Sequence, residues 1–189
     1  MGRIIKAAVI VLVAVLMIES VVAEGRRKRE QEKAPPPSPP DKRDRLVNAP
    51  GTPFHGRPYW QALAQCGGIY FKLNTLYSNA AIMAKVSKPD PAANARLSKQ
   101  SDAARRAATI FFEAAERFLI ADRGLPREQA IITYDQRATD EGERQKTAEA
   151  GEQAAKPCPA LYQTCRDAFA KICSDPTVSA MLSAPQRRE

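Results

Sequence analysis

Four cysteines, one histidine and two small groups of carboxylates are the side chains in this sequence best suited to covalent, metal or proton-transfer chemistry. Cys66, Cys158, Cys165 and Cys173 form no Cys-x-x-Cys pair. The spacing of a thioredoxin-like redox motif, a zinc knuckle or a c-type haem site is therefore missing. His55 is the single histidine and sits in a Pro/Gly-broken stretch. A general base needs a pocket and a positioned partner, and nothing near His55 suggests either, so it reads as a solvated loop residue. Haem, di-iron and Cys/His zinc sites need histidines on helices; no predicted helix carries one, and no cofactor or metal is expected. Glu113 and Glu116 lie three apart on a predicted helix, and Asp140, Glu141 and Glu143 cluster on another. With Arg117 and Arg144 beside them they read as solvated faces bearing weak surface ion pairs. No catalytic residue is assigned.

Two other groups of residues point to binding. Tyr70, Asn74, Tyr77 and Asn79 place polar groups on an otherwise apolar helix. They suggest either a cleft for a small amphipathic ligand or buried groups bonded to backbone and water, and the second is favoured. Arg26, Arg27, Lys28 and Arg29 form a cationic run suited to anionic headgroups or envelope polymers, or simply to solubility. Nucleic acid is not the expected partner of an exported chain.

The elements that must position these residues follow from composition. The chain has 189 residues, 44% of them hydrophobic but only 6% aromatic, with alanine prominent in the apolar count. Long alternating β patterns are absent, and apolar residues recur at helical spacing. Arg3 and Lys6 precede an apolar run from Ala7 to Ile18, and Val21-Val22-Ala23 follows. This is the pattern of a signal peptide over residues 1–23, cleaved before Glu24; a retained anchor is the alternative. Without those residues the net charge is +7, with 27 basic and 20 acidic residues. Residues 24–57 carry +4 and the proline block Pro35–Pro40. Their few apolar groups predict a disordered basic tether. No transmembrane span is expected after cleavage.

A helical domain is predicted over 58–175, with a loose tail at 176–189. A first helix over 58–86 carries two apolar stripes: Trp60, Leu63, Gly67, Tyr70, Asn74, Tyr77, Ala81 and Ala84, then Ile69, Leu73, Leu76, Ala80 and Met83. A helix apolar on several sides belongs at the centre of its domain. Asp90 and Pro91 cap and open a second helix that Gly124 stops. A third region, 126–156, is expected to split at Thr133-Tyr134-Asp135. A last helix runs from Pro159 to about Cys173.

In an oxidising compartment an even number of cysteines implies disulfides. Were 160–173 one helix, Cys165 and Cys173 would be roughly 12 Å apart on the helical rise, beyond the ~7 Å reach of a disulfide. Elimination then predicts Cys66–Cys173, between the antiparallel first and last helices, together with Cys158–Cys165.

The segments Trp60-Gln-Ala-Leu-Ala-Gln-Cys66-Gly-Gly-Ile-Tyr70-Phe and Cys158-Pro-Ala-Leu-Tyr162-Gln-Thr-Cys165 resemble a group of exported bacterial proteins of unknown function. The resemblance covers most of 58–175. It implies a periplasmic setting and no particular activity.

The sequence therefore predicts an all-α, four-helix up-down array stapled by disulfides. The expected role is non-catalytic: exported, periplasmic or secreted, and binding another envelope protein or an anionic envelope surface through the tether. The alternatives are a ligand carrier or enzyme with a cleft at Tyr70, Asn74 and Tyr77, and an inhibitor or immunity-type partner of another exported protein.

Overall fold

The structure is a computed structural model that describes residues 41–87 and 89–173. The expected signal segment, the Arg26–Arg29 run and the 176–189 tail lie outside the described residues.

Among the described residues six helices follow in order: α1 (Tyr59–Val86), α2 (Pro91–Arg123), α3 (Arg127–Arg144), α4 (Ala148–Ala155), α5 (Cys158–Ala168) and α6 (Ala170–Cys173). Among the described residues there is no strand, only an isolated bridge between Leu46 and Pro58. The array is all-α and disulfide-stapled, as its sequence predicts.

α1 is central because it is apolar on several sides. Its buried residues include Leu63, Gly68, Ile69, Leu73 and Tyr77, and these face different neighbours. α2 covers one side. Its N-terminus is set by the Asp90 carboxylate, which accepts the Ala93 N–H at 2.9 Å, and its end by Gly124 at φ 67°, the left-handed conformation glycine adopts freely. Phe118 of α2 stacks on Tyr59 of α1 at 5.1 Å. Fifteen residues further along α1 and seventeen residues back along α2, the Asn74 amide donates to the Ser101 carbonyl and Oγ at 3.0 and 2.7 Å. The two helices are therefore antiparallel.

α3 runs unbroken through Thr133-Tyr134-Asp135, contrary to the predicted split there. Tyr134 stacks on Phe112 at 5.4 Å, and this tertiary contact outweighs the weak local helix preference. The break comes at Gln145–Thr147 instead, where Gln145 is extended and Thr147 caps α4 by accepting from Ala150 N–H. α4 packs on α1, with the Tyr77 hydroxyl donating to Glu152 at 2.5 Å and Gly151 against Leu73, and the chain runs antiparallel to α1 from there, since Cys158 is bonded back to Cys66. α5 continues downwards. Its chain breaks at Phe169 (φ −140°, ψ 57°), whose ring packs edge-on to Tyr59 at 5.2 Å and to Phe118 at 5.6 Å. The result is an up-down array whose fourth member is α4 and α5 together.

Two expectations need correction. Residues 41–57 are not a disordered tether but an ordered strap. Val47 and Phe54 are in the core. Val47 N–H donates to Arg57 O at 2.8 Å and Tyr59 N–H to Arg45 O at 2.9 Å. The Asp44 carboxylate, fully enclosed, takes two hydrogen bonds from Arg123 at 2.8 and 2.7 Å. Arg45 pairs with Asp122 and lies over the rings of Phe118 and Phe169. The anchors are few, but each reaches the core or a buried charge.

The disulfides also pair differently, as Cys66–Cys158 and Cys165–Cys173, with Cα atoms 5.8 and 6.0 Å apart. The predicted Cys66–Cys173 and Cys158–Cys165 bonds assumed one straight helix over 160–173. The break at Phe169 folds Cys173 back towards Cys165. Tyr162 Oη donates to the Cys173 carbonyl at 2.8 Å and fastens the return. Cys66 lies two turns above the start of α1, where it meets the beginning of α5 rather than its end.

Candidate functional site

The residues singled out for chemistry are dispersed. His55 is exposed in the strap. Glu113 pairs with Arg117 and Glu116 with Arg127, on the surface of α2. Asp140 is exposed, while Glu141 is buried and accepts from Arg144 at 3.1 Å and from Gln145 at 3.3 Å. All four cysteines are in disulfides. No three His, Cys, Asp or Glu side chains gather into a metal site among the described residues.

Tyr70, Asn74 and Tyr77 each engage a different neighbour, and none of them lines either of the cavities beside Phe71 and Ile82. Tyr70 is half-buried and stacks on Phe111 of α2 at 5.5 Å; burial raises its hydroxyl pKa. Asn74 is held by Ser101, whose hydroxyl in turn donates to the Asn74 carbonyl at 3.2 Å. Tyr77 is bound to Glu152 of α4. Burial first, then the adjacent Glu152 carboxylate, holds the Tyr77 hydroxyl well above the ordinary tyrosine range. The trio joins α1 to α2 and α4 as buried polar groups bonded across helices.

The open part of α1 lies between these contacts. Phe71, Thr75, Ser78 and Ile82 follow one another at steps of four, three and four, which puts them in one row on the helix. α2 flanks the row on one side through Phe112, which lies over Gly67. α3 flanks the other, where the Ala138 carbonyl reaches Gly68. Phe71 is 59% exposed and Ile82 57% exposed. A cavity of about 230 Å³ opens beside Phe71, walled by Lys72, Thr75, Phe112, Thr139 and Glu143 over the backbone of Gly68 and Gly142. A second, of about 270 Å³, opens beside Ile82, between Ser78, Ala81 and Lys85 of α1 and Asn94, Ser98 and Asp102 of α2. From Phe71 to Ile82 the row spans about 17 Å of helix, and with Lys85 at its edge the lining reaches about 21 Å.

This groove is the candidate site. Its walls are apolar rings, hydroxyls and amides, with Lys72, Lys85, Asp102, Asp135 and Glu143 at the edges. The composition suits packing and hydrogen bonding more than bond making. The sequence signal for it was available. Phe71 and Ile82 are large apolar residues belonging to neither predicted stripe, so a core-facing role was already unassigned. Met83, placed in the second stripe, is 58% exposed.

Among the described residues no helix is long and apolar enough to cross a membrane. Comparisons with protein-family models, with curated proteins and with solved structures found no match to this chain.

Proposed function

We propose that this is a non-catalytic binding module of the cell envelope, exported through its N-terminal segment, that receives apolar side chains of a protein partner in the α1 groove. The observation that carries this reading is the exposure of Phe71 and Ile82 on one row of the central helix, each beside its own cavity. Large apolar residues left in line on a soluble face mark contact surfaces. A groove some 21 Å long, with an apolar residue towards each end, matches the reach of an amphipathic helix docking by residues spaced along one face. Two disulfides accord with an oxidising compartment, and the basic residues between 24 and 40 would keep the module near anionic envelope material. Tyr70, Asn74 and Tyr77 are engaged in helix–helix contacts, which removes the main support for a carrier or enzyme cleft.

The test is capture from envelope extract by the full-length protein, compared with Phe71→Asp, Ile82→Asp and the distant surface change Lys171→Glu. A protein held by wild type and by Lys171→Glu, and lost from both groove variants while their melting temperatures hold, is the expected result. An identical set of captured proteins on all four baits refutes the reading.

A further inference from the structure

Beyond the groove, the α1–α2 hairpin ends in a surface of different character. α4 packs on α1 at Leu73 and Tyr77. Past that level burial on α1 ends at Ala81, and on α2 it begins only at Ser101. Among the described residues, the tip formed by the last turn of α1 and the first turns of α2 is thus clad by no third helix that buries it. Met83 is 58% and Val86 71% exposed there, with Ile82 adjoining.

The tip is also the basic end of the domain. Residues 78–106 hold six basic and two acidic side chains, a net +4, while the remainder of 58–189 holds twelve basic and thirteen acidic, a net −1. Both acids at the tip are engaged: Asp90 caps α2 and Asp102 pairs with Arg105 at 3.6 Å. Lys85, Arg96, Lys99 and Arg106 are exposed and have no ion-pair partner among the described residues.

We infer that the α1–α2 tip docks on an anionic lipid surface, with Met83 and Val86 entering the headgroup–acyl boundary while Lys85 and Arg96 meet the headgroups. Exposed aliphatic side chains ringed by cations fit that boundary, where the apolar groups leave water and the charges find phosphate. A single-stranded nucleic acid would be met by aromatic stacking, and residues 78–106 contain no aromatic residue; a duplex would engage the cations alone and give Met83 and Val86 no apolar phase to enter. Met83, Val86 and Arg96 lie outside the lining of the groove, which the tip meets at Ile82 and Lys85, so changes at Phe71 and at Arg96 distinguish this surface from the proposed partner site.

The experiment uses the full chain with phosphatidylcholine vesicles, with and without phosphatidylglycerol. An environment-sensitive dye is placed at Val86→Cys and, as a control, at Ile132→Cys, an equally exposed residue on α3. The dye at 86 is expected to shift to the blue with phosphatidylglycerol vesicles only, and the dye at 132 not to shift. Lys85→Gln with Arg96→Gln is expected to weaken vesicle partitioning by about 10- to 30-fold, at roughly fivefold per cation. Phe71→Asp should leave it unchanged. Equal shifts at both positions, no shift at either, partitioning that ignores the Lys85/Arg96 change, or tighter retention on duplex DNA than on the anionic vesicles each overturns the proposal.

Discussion

Cys66, in the second turn of α1, is bonded to Cys158, the first residue of α5, across 92 positions of sequence. The bond clamps the central helix to the start of the fourth arm. Cys165–Cys173 closes only eight positions around the Phe169 break. In the chain-entropy picture the long loop is worth about 4.5 kcal/mol and the short one about 2.5 kcal/mol. Replacing Cys66 and Cys158 together by alanine should therefore lower unfolding stability roughly 2 kcal/mol more than replacing Cys165 and Cys173. Urea titration of the two double variants measures the difference, and peptide mapping without reductant should recover 66–158 and 165–173 links.

Gly68 lies against α3, and a Cβ added there would run into the backbone carbonyl of Ala138. In an exposed helix, replacing glycine by alanine gains about 1 kcal/mol. Here the obstacle is backbone and cannot swing aside, so Gly68→Ala should destabilise by about 1–3 kcal/mol, the range for overpacked sites. A stabilised Gly68→Ala protein in thermal or urea unfolding would show that the two helices do not approach this closely.

How far the sequence disclosed this arrangement varied with the range of the interactions. α2 was readable because both its ends are written locally, in Asp90-Pro91 and in Gly124. The central position of α1 was readable because apolar residues surround it. The Phe169 break was not, since its ring packs on Tyr59 and Phe118, which are distant in the sequence, and the cysteine pairing failed with it. The strap was missed for the same reason. Its ion pairs join Asp44 to Arg123 and Arg45 to Asp122, 79 and 77 residues apart, and no periodicity reports such contacts. Tyr70, Asn74 and Tyr77 stand out in the sequence as polar groups on an apolar helix, but their partners Phe111, Ser101 and Glu152 decide what they do. Phe71 was visible only as an apolar residue without a stripe.

Phe54 tests the strap directly. Its ring is fully buried in the core although it lies before the first helix. Phe54→Ala should cost about 3–5 kcal/mol, as for other buried phenylalanines. His55→Ala, one residue on and exposed, should stay within about 0.5 kcal/mol of wild type. Equal, small effects from both changes in chemical denaturation would return residues 41–57 to the status of a tether.

Asp44 should make the fold sensitive to acid. Burial alone would raise its pKa, but the Arg123 guanidinium, through hydrogen bonds and charge, together with the Asp41 N–H, holds it below its ordinary 3.8. A carboxyl with a depressed folded-state value stabilises fully above its unfolded value, and that contribution is lost as pH falls through the folded one. Stability should thus decline below about pH 4, the ordinary carboxyl range. In Asp44→Asn the Arg123 side chain, little exposed, keeps its burial and loses its counter-charge. That variant should be less stable at neutral pH by about 3–5 kcal/mol, the cost of breaking a buried pair from one side. Its stability should also fall less steeply on acidification, since one titrating group is gone. Urea midpoints for both proteins across the acid range decide it: parallel pH profiles would mean that the Asp44–Arg123 pair contributes nothing that protonation can remove.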